Sequence, residues 1–444
     1  MLDSEALILY FPSPATVTGE DVLELHVHGG AATVKAVLTA IARVPSKTRI
    51  RYAEPGEFTK RAFINDRLDL AQIESLSDTL AAETEQQRRA AVRGNSGALG
   101  RTYESWRQKL LLARGEIEAL IDFSEDQHFD ESQSELLENV TAQIDDILHS
   151  IAIHDLGSQR SELLRSGIRI ALLGPPNAGK SSLMNLIVGR EASIVSGEAG
   201  TTRDIVEASL DLRGYLCSFA DTAGFRTRAT HDDSQPMSAI EEEGIRRARQ
   251  KAKESNIIVV LASVETDASG ATIRYDEDTL DLAAEAKACL VVVNKRDAVD
   301  ADVFAALLHD FQAKLHRHTP QLGKAAVLSI SCLDAQSITR THVDAGGLQA
   351  LVDALSATFS TMTEMPAGMQ DLLGVTERQR QLLVKCRAHL DDFMNEAQPA
   401  DDGSDADSVL AAEYLRYAAN CLARITGKGE AGDVEDVLGV VFEK

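Results

Sequence analysis

Cysteine is scarce in this chain of 444 residues, and the few cysteines that it has are widely separated. They are Cys217, Cys289, Cys332, Cys386 and Cys421, and no two of them form a Cys-x-x-Cys motif. An odd number of scattered cysteines offers neither a disulfide framework nor a zinc site, and it is typical of a reducing compartment.

Long apolar runs and an N-terminal targeting pattern are also missing. No apolar run is long enough to span a bilayer, so the sequence predicts no contact with a membrane. The first residues, Met1-Leu2-Asp3-Ser4-Glu5, carry no positively charged side chain. We therefore expect neither a signal peptide nor a transit peptide at this point of the sequence.

Positive charge is in short supply. Lys and Arg number 45 against 69 Asp and Glu, which gives a formal net charge of -24. Such an acidic chain does not suit nonspecific coating of nucleic acid, and any contact with RNA would need a local basic face. The apolar fraction of 44% can support sizeable cores, and the length allows two or three domains.

One stretch, Gly174-Pro175-Pro176-Asn177-Ala178-Gly179-Lys180-Ser181, matches the phosphate-binding pattern G-x-x-x-x-G-K-[ST]. A buried strand is predicted before it and a helix after it, so an ordinary glycine turn is disfavoured. The backbone N–H groups and the helix N-terminus would face an anion, Lys180 would neutralise the β- and γ-phosphates, and the Ser181 hydroxyl would ligate Mg²⁺. The residues expected to bind the nucleotide here are Asn177, Ala178, Gly179, Lys180, Ser181 and Ser182.

Strand and helix patterns alternate between residues 168 and 360, which predicts a mainly parallel sheet with flanking helices. The candidate strands cover residues 168–173, 205–212, 216–220, 257–262, 290–293 and 327–330. The sequence Asp-Leu-Arg-Gly-Tyr-Leu at 211–216 indicates a hairpin turn that joins the second and third strands.

Helical patterns lie on both sides of this segment. Apolar residues recur at helical spacing from residue 69 to about 166, where proline is absent, and again at 376–393 and 408–426. Residues 395–407 contain Pro399 and a run of acids, which predicts a flexible loop. The helices on either side of the sheet domain could pack as one bundle, so we expect the sheet domain to be inserted in a helical domain.

Basic residues are concentrated in the first helical region. A solvated helix face balanced by neighbouring Glu is the favoured interpretation, and a nucleic-acid surface is the alternative. The residues concerned are Arg88, Arg89, Arg93, Arg101, Arg107 and Lys109.

The N-terminal residues predict two strands, at 6–11 and 22–28, and then a helix from Ala31 to Arg43. Glu24, His26 and His28 fall on one face of the second strand. A metal site is conceivable there, but a polar face turned to solvent or ligand is favoured because no further ligand cluster accompanies it.

Two motifs after the phosphate loop suit a γ-phosphate switch. In Asp221-Thr222-Ala223-Gly224 the Asp can hold Mg²⁺ through water and the Gly N–H can sense the γ-phosphate. In the loop 200–204, Gly-Thr-Thr-Arg-Asp, Thr202 can complete the Mg²⁺ shell only while that phosphate is present.

Two further motifs suit a guanine base. In Asn294-Lys295-Arg296-Asp297 the Asp carboxylate can accept two N–H bonds from guanine, whereas adenine presents the wrong donors. Ser331 and Cys332 follow the next strand and can offer a backbone N–H to the guanine O6. Each motif alone could be an ordinary polar loop, but the set occurs in order and mostly at strand ends, which favours GTP over ATP.

Hydrolysis needs a group that orients water and a group that neutralises developing charge. The position directly after Gly224 is Phe225, which cannot orient water. Ile240-Glu241-Glu242-Glu243-Gly244 offers carboxylates, although acids at a helix N-terminus are an alternative reading. No arginine finger can be assigned, and a monovalent cation held by the Asn177 side-chain oxygen could replace it.

With these motifs, the sequence resembles the MnmE (TrmE) family of tRNA-modifying GTPases over nearly its whole length. The likeness rests on residues 174–182, 200–204 and 221–224, and equally on stretches that other GTPases lack. The latter are Thr18-Gly19-Glu20-Asp21, Pro55-Gly56-Glu57-Phe58-Thr59 and residues 61–72, Arg-Ala-Phe-Ile-Asn-Asp-Arg-Leu-Asp-Leu-Ala-Gln.

The resemblance implies a multidomain α/β fold in which a P-loop GTPase domain, a mainly parallel sheet with flanking helices, is inserted into an all-α helical domain. A partial α+β N-terminal domain precedes it. The expected domains are 1–69 (folate binding and dimerisation), 70–166 (first part of the helical domain), 167–362 (G domain) and 363–444 (second part of the helical domain).

The resemblance also implies an activity. The family modifies carbon 5 of the wobble uridine in tRNA together with an FAD-binding partner, MnmG. Its GTP hydrolysis is stimulated by K⁺ and by homodimerisation of the G domains. GTP, Mg²⁺, K⁺ and a one-carbon tetrahydrofolate are therefore the expected ligands.

Family positions can be carried onto this sequence. Asn177, Ser196, Glu198 and Thr201 match the K⁺-binding positions, and Glu241 matches the catalytic glutamate. Thr202 and Arg226 match further positions of the hydrolytic site, and Glu24 and Arg67 resemble folate contacts. In this family the N-terminal domain begins upstream of the equivalent of Met1, and the chain ends in a Cys-containing tail. Neither feature is in this sequence.

Insertions such as residues 226–236 and 395–407 favour a eukaryotic mitochondrial member, with a cytoplasmic location as the alternative. A ribosome-assembly GTPase of the same superfamily remains an alternative function, although no G-x-x-G module for RNA binding is found. A non-hydrolysing scaffold is a third hypothesis, which detectable GTP turnover would exclude.

Overall fold

The computed structural model describes residues 2–47, 49–123, 133–196, 209–220, 249–250, 252–268, 270–322, 326–336, 344, 346–397 and 407–428. The chain forms two compact units. The first consists of Met1–Ala81, Ala91–Ser158 and Gly368–Lys444, and the second of Ala82–Ala90 and Gln159–Ala367. No helix within the described ranges is long and apolar enough to cross a membrane.

The first unit opens with an antiparallel pair of strands, β1 (Leu7–Phe11) and β2 (Val22–His26), followed by helices α1 (Ala31–Ala42) and α2 (Glu57–Ile64). Strand β2 ends at His26, earlier than predicted, because the backbone N–H of His28 donates to Asp3 Oδ2 at 2.8 Å. His28 Nδ1 also lies 2.6 Å from Asp3 Oδ1, and His26 Nε2 lies 3.0 Å from Glu24 Oε2. Where side chains are described, no three His, Cys, Asp or Glu residues form a metal-binding group.

The helical pattern after residue 69 is confirmed. Its helices are α3 (Leu70–Ala81), α4 (Glu85–Gly94), α5 (Ala98–Phe123) and α6 (Gln133–Ser166). Several of the basic side chains considered above are paired with carboxylates: Arg88 and Arg89 with Glu85, and Arg107 with Glu104. These pairs support the interpretation as charge-balanced helix faces.

The C-terminal helices of the first unit are α12 (Glu377–Ala397) and α13 (Ser408–Thr426). Helix α13 packs against α5 and α12 and buries Leu415 and Leu422 completely. Helix α12 extends beyond the predicted end at 393, because Ala397 is still buried and Pro399 is the first residue that cannot continue a helix. Of the predicted acidic loop, residues 398–406 lie outside the described residues.

A buried ionic network holds α3 against the C-terminal helices. The Glu74 carboxylate accepts hydrogen bonds from Thr376 Oγ1 at 3.1 Å, from Gln379 Nε2 at 2.7 Å and from Arg378 Nε. The other two nitrogens of that guanidinium donate to the carbonyl oxygens of residues 424 and 425, at the end of α13. One arginine therefore neutralises a buried acid and satisfies a helix C-terminus.

The second unit is built on a sheet of eight described strands. Its order is β10-β9-β7-β3-β6-β5-β4, with β8 paired to β7. The strands are β3 (Ile168–Leu173), β4 (Ala192–Ser196), β5 (Ser209–Leu212), β6 (Tyr215–Ala220), β7 (Ile257–Asp267), β8 (Gly270–Arg274), β9 (Cys289–Asn294) and β10 (Val327–Ser329). The five strands from β10 to β6 are parallel, which confirms the predicted parallel core, while β4, β5 and β8 pair in antiparallel fashion.

Helices alternate with the strands of this sheet. They are α7 (Lys180–Leu186), continued by a π-helical turn at Ile187–Glu191, α8 (Glu277–Ala284), α9 (Ala301–His318), α10 (Cys332–Gln336) and α11 (Leu348–Thr363). Short 3-10 turns occur at Arg296–Ala298 in this unit and at Gln370–Gly374 in the first unit. Val260, Val293 and Phe311 belong to a single buried cluster of strand and helix side chains.

The predicted hairpin between β5 and β6 is confirmed. Leu212 pairs with Tyr215, and the two residues between them, Arg213 and Gly214, have φ values of 55° and 84°. Two consecutive positive φ angles are typical of a type I′ turn, which suits the twist of a two-residue hairpin. Residues 205–208 of the predicted strand lie outside the described residues, and strands β4 and β8 were not predicted.

Candidate functional site

The phosphate loop leaves the sheet at the end of β3 and is shaped by positions with positive φ. Gly174 has φ 149°, Asn177 has φ 63° and Gly179 has φ 99°. A Cβ atom on Gly174 would lie 2.1 Å from the Leu261 carbonyl oxygen, so the loop can start here only with glycine. Helix α7 begins directly after Gly179, so unpaired N–H groups and the positive end of the helix dipole are directed at one point.

Lys180 folds back over the loop that precedes it. Its Nζ donates to the carbonyl oxygens of Gly174 at 2.7 Å and Pro175 at 2.9 Å. Burial lowers the pKa of this ammonium group. The next two residues, Ser181 and Ser182, are exposed at the first turn of α7. The lysine therefore already lies within the loop, and an anionic phosphate would replace its carbonyl partners.

Asn294 connects the phosphate loop to the segments predicted to bind the base. Its Nδ2 donates to the Ala178 carbonyl oxygen at 2.8 Å, and its Oδ1 accepts from the Cys332 N–H at 3.2 Å. The side chain is 2% exposed. A Cβ on Gly179 would lie 2.2 Å from Asn294 Nδ2, so this glycine is required by the close approach as well as by its φ.

The turn after β9 presents the predicted guanine-binding carboxylate. Lys295 has φ 62° and ψ 37°, and the 3-10 turn that follows leaves Asp297 exposed. The N–H of Arg296 donates to the Ile330 carbonyl oxygen at 3.3 Å, which ties this turn to the segment after β10. A carboxylate at an exposed turn beside a phosphate loop can accept hydrogen bonds from a purine.

The segment at Ser331 and Cys332 is held by internal hydrogen bonds. The N–H of Ser331 donates to the Gly346 carbonyl oxygen at 2.9 Å, and its Oγ accepts from the Asp334 N–H at 2.9 Å. Because the Cys332 N–H already donates to Asn294, a purine oxygen at this position would compete with the asparagine for that N–H.

Gly346 and Gly347 lie against the segment that is predicted to bind the base, and the sequence analysis did not include them. Gly347 has φ 69°, and a Cβ there would lie 2.6 Å from the Ser329 carbonyl oxygen. Two consecutive glycines directly before a helix with apolar periodicity were the signal that could have identified them.

The structure brings Asn177, Ala178, Gly179 and Lys180 together in one loop and joins that loop to Asn294 and Cys332. Of Ser196, only the backbone at the end of β4 is described. The remaining predicted residues of the nucleotide site lie outside the described residues: Glu198, Thr201, Thr202, Asp221, Thr222, Ala223, Gly224, Arg226 and Glu241.

The two predicted folate contacts belong to the first unit, and each has a partner within the protein. Glu24 lies on β2 beside His26. Arg67 follows α2, and its Nε donates to the Thr16 carbonyl oxygen at 2.8 Å. Both side chains lie at exposed positions, where a ligand could compete for them.

Comparison with known proteins gives two family matches that together span nearly the whole chain. Residues 1–67 match the family described as the GTP-binding protein TrmE N-terminus, and residues 70–444 match the MnmE helical domain.

Individual relatives match over nearly the whole of this chain. The tRNA modification GTPase MnmE of Parvibaculum lavamentivorans is 39% identical over 98% of this chain and 84% of its own length. The human protein named 5-taurinomethyluridine-[tRNA] synthase subunit GTPB3, mitochondrial, is 34% identical over 99% of this chain and 80% of its own. The Saccharomyces cerevisiae tRNA modification GTPase MSS1, mitochondrial, is 33% identical over 100% of this chain and 79% of its own.

Proposed function

Because this chain belongs to the MnmE (TrmE) family, we propose that it is a GTPase that acts in the modification of tRNA. The observation that carries the proposal is the connection through Asn294. One buried amide ties a phosphate loop to the segments predicted to bind guanine, so a single ligand with a phosphate end and a purine end fits.

The substrate position that we propose is carbon 5 of the wobble uridine, modified together with an FAD-binding partner related to MnmG. The name of the human relative supports this proposal, because it describes a subunit of a synthase for a 5-substituted uridine in tRNA. The net charge of -24 agrees with a chain that leaves much of the tRNA binding to a partner.

Two cations are proposed at the phosphate loop. Ser181, exposed at the first turn of α7, would ligate Mg²⁺ together with Thr202. Asn177, exposed on the same loop, would offer its side-chain oxygen to K⁺, with Ser196, Glu198 and Thr201 as the other ligands. K⁺ supplies positive charge between the β- and γ-phosphates when it is bound, while Glu241 would orient the attacking water.

The remaining features are proposals that follow from the family. We propose that residues 167–362 form a G domain inserted between two parts of a helical domain, 70–166 and 363–444, with 1–69 as an N-terminal domain. The first compact unit, which is assembled from separate stretches of chain, supports this arrangement. Homodimerisation, folate binding through Glu24 and Arg67, and a mitochondrial location are proposed on the same basis.

The test of the proposed function compares GTP hydrolysis in K⁺ and in Na⁺ at equal ionic strength. We expect turnover in K⁺ only, and we expect Asn177→Gly to lose the K⁺ stimulation while it still binds GDP. Glycine tolerates the φ of 63°, so this variant removes the side-chain oxygen without backbone strain.

Asn185→Ala, an exposed position on α7, serves as the matched control and should behave as wild type. Equal turnover in both salts would contradict the K⁺ assignment. Absence of any turnover, together with unchanged wobble uridines in tRNA from cells that lack this gene, would contradict the function itself.

A further inference from the structure

Ser263 lies on β7 and is completely buried. Among the residues that the structure describes, its hydroxyl oxygen has no hydrogen-bond partner. A buried hydroxyl group has given up its hydrogen bonds to water, so leaving it unpaired costs free energy. Most buried polar side-chain atoms in proteins are paired, and an unpaired one therefore needs a physical reason.

The strand pairing places Ser263 beside Asn294. The two residues lie opposite each other in the parallel pair of β7 and β9. The residues directly before them, Ala262 and Val293, belong to the buried cluster of strand and helix side chains. Successive side chains of a strand point to opposite faces of the sheet. Ser263 and Asn294 therefore share the other face, where the Asn294 amide donates to Ala178 of the phosphate loop.

On this face, Asn294 is the neighbour that can accept a hydrogen bond from the serine. Paired strands lie about 4.8 Å apart, so side chains of opposite residues on one face are direct neighbours. On the other side of β7, Ser263 lies opposite Arg274 of β8, whose guanidinium donates to Glu265 Oε2 at 3.2 Å. A guanidinium has no acceptor atom, whereas the asparagine amide has one.

The acceptor atom of that amide has a partner for which a purine would compete. Asn294 Oδ1 accepts from the Cys332 N–H at 3.2 Å, and the same N–H is the predicted donor to guanine O6. When O6 takes this N–H, Oδ1 loses its donor. Asn294 is 2% exposed, so water does not readily replace that donor. An unpaired acceptor would then oppose binding, unless a second donor lies within reach.

We propose that Ser263 is a positioning residue for nucleotide binding, whose hydroxyl group donates to Asn294 Oδ1 when the purine oxygen takes the Cys332 N–H. The proposal rests on the proposed function, since it concerns the same site. The ligand class is a nucleoside di- or triphosphate whose purine carries an oxygen at position 6. Such a ligand pairs with Cys332, and the exchange gives the buried serine hydroxyl a partner. Ser263 thus favours 6-oxopurines without touching them.

The experiment compares Ser263→Ala with wild type in the full chain. GDP and the diphosphate of 2-aminopurine riboside, which lacks O6, each displace a fluorescent GDP analogue. We expect the variant to bind GDP roughly threefold to tenfold more weakly, which is the effect of one hydrogen bond. Its affinity for the 2-aminopurine nucleotide should stay within twofold of wild type, because Cys332 then keeps its bond to Asn294. Without nucleotide, the urea midpoint should be no lower than that of wild type, because alanine removes an unpaired hydroxyl group.

Ser218→Ala is the matched control. Ser218 is a half-buried serine on β6 of the same sheet, opposite Arg169 of β3, and its replacement should leave both affinities within twofold of wild type. Unchanged GDP affinity in Ser263→Ala would overturn the inference. An equal loss for both nucleotides, or a lower urea midpoint, would overturn it too, because either result indicates a merely structural role. Failure of the wild-type protein to bind the GDP analogue would instead contradict the proposed function.

Discussion

Replacing Asn294 by alanine should lower the free energy of unfolding of the second unit far more than replacing an exposed polar side chain does. Its amide makes two hydrogen bonds at once, to the Ala178 carbonyl oxygen and from the Cys332 N–H. Ala178 is fully buried and Cys332 is 9% exposed. In Asn294→Ala both backbone groups lose the side chain that pairs them.

The magnitude follows from that burial. A buried backbone group left without a partner costs about 1–3 kcal/mol, so two of them lower the free energy of unfolding by roughly 2–6 kcal/mol. Asn294→Asp should cost at least as much. Its carboxylate could still accept from Cys332, but its second oxygen would face the oxygen of Ala178 and bring an unpaired charge into the interior.

Urea unfolding followed by circular dichroism measures the loss. Hydrogen exchange of peptides covering residues 289–297 locates it in the second unit, which matters because a chain with two units need not unfold in one step. Affinity for guanine nucleotides should fall at least tenfold. Asn185→Ala removes the same type of side chain from an exposed position on α7 and should change stability by less than about 0.5 kcal/mol. If Asn294→Ala unfolds at the same urea concentration as this control, the two hydrogen bonds do not hold the site together.

Two predictions concern the helical unit. Arg378→Met leaves the buried Glu74 carboxylate without its cation and should lower the free energy of unfolding by about 3–5 kcal/mol. As the control, Arg387→Met removes an exposed ion pair with Asp391 and should change the free energy of unfolding little. Equal urea midpoints for the two variants would contradict this prediction. Burial lowers the pKa of His154 to about 4, from 6.5 in the unfolded chain. The unfolded state therefore takes up the proton first, so stability is full above pH 6.5 and falls by about 3 kcal/mol as pH drops to 4. His154→Gln should flatten that part of the pH profile, and parallel profiles for variant and wild type would show that another group is responsible.

The sequence predicted correctly those helices and strands whose bounds are marked by nearby residues. Strand Ile168–Leu173 and helix Ser408–Thr426 were predicted with the observed bounds. The helix has the clearest reason: Asp407 accepts from the N–H groups at its start, and Gly427 with φ 82° ends it. Capping residues mark a boundary in the sequence itself, so no knowledge of the tertiary structure is needed.

Strand β8 shows the opposite case. Gly270–Arg274 is too short for periodicity to distinguish it from a loop, and it becomes a strand because β7 extends beyond the rest of the sheet and offers an edge. The place of the β7–β8 hairpin in the sheet depends on the order of strands, which no local pattern encodes. Asp276 follows β8, and its carboxylate accepts from the Thr279 N–H at the start of α8. The sequence analysis did not consider this residue, although an Asp directly before a helix is typical of an N-cap.

The first and last residues of the motif Asn-x-x-Asp at 294–297 lie in different surroundings, one buried and one exposed. Position 294 must donate to one backbone group and accept from another, 116 and 38 residues away in sequence. A side-chain amide carries its donor and its acceptor on two separate atoms, so it can reach two backbone groups at once, and it brings no charge into the interior. Asp297 lies on the exposed turn, where water can hydrate its carboxylate. The sequence places both residues in the nucleotide site, whereas the structure shows that the asparagine holds two backbone segments of that site together. Recognition of the base by the aspartate stays a prediction.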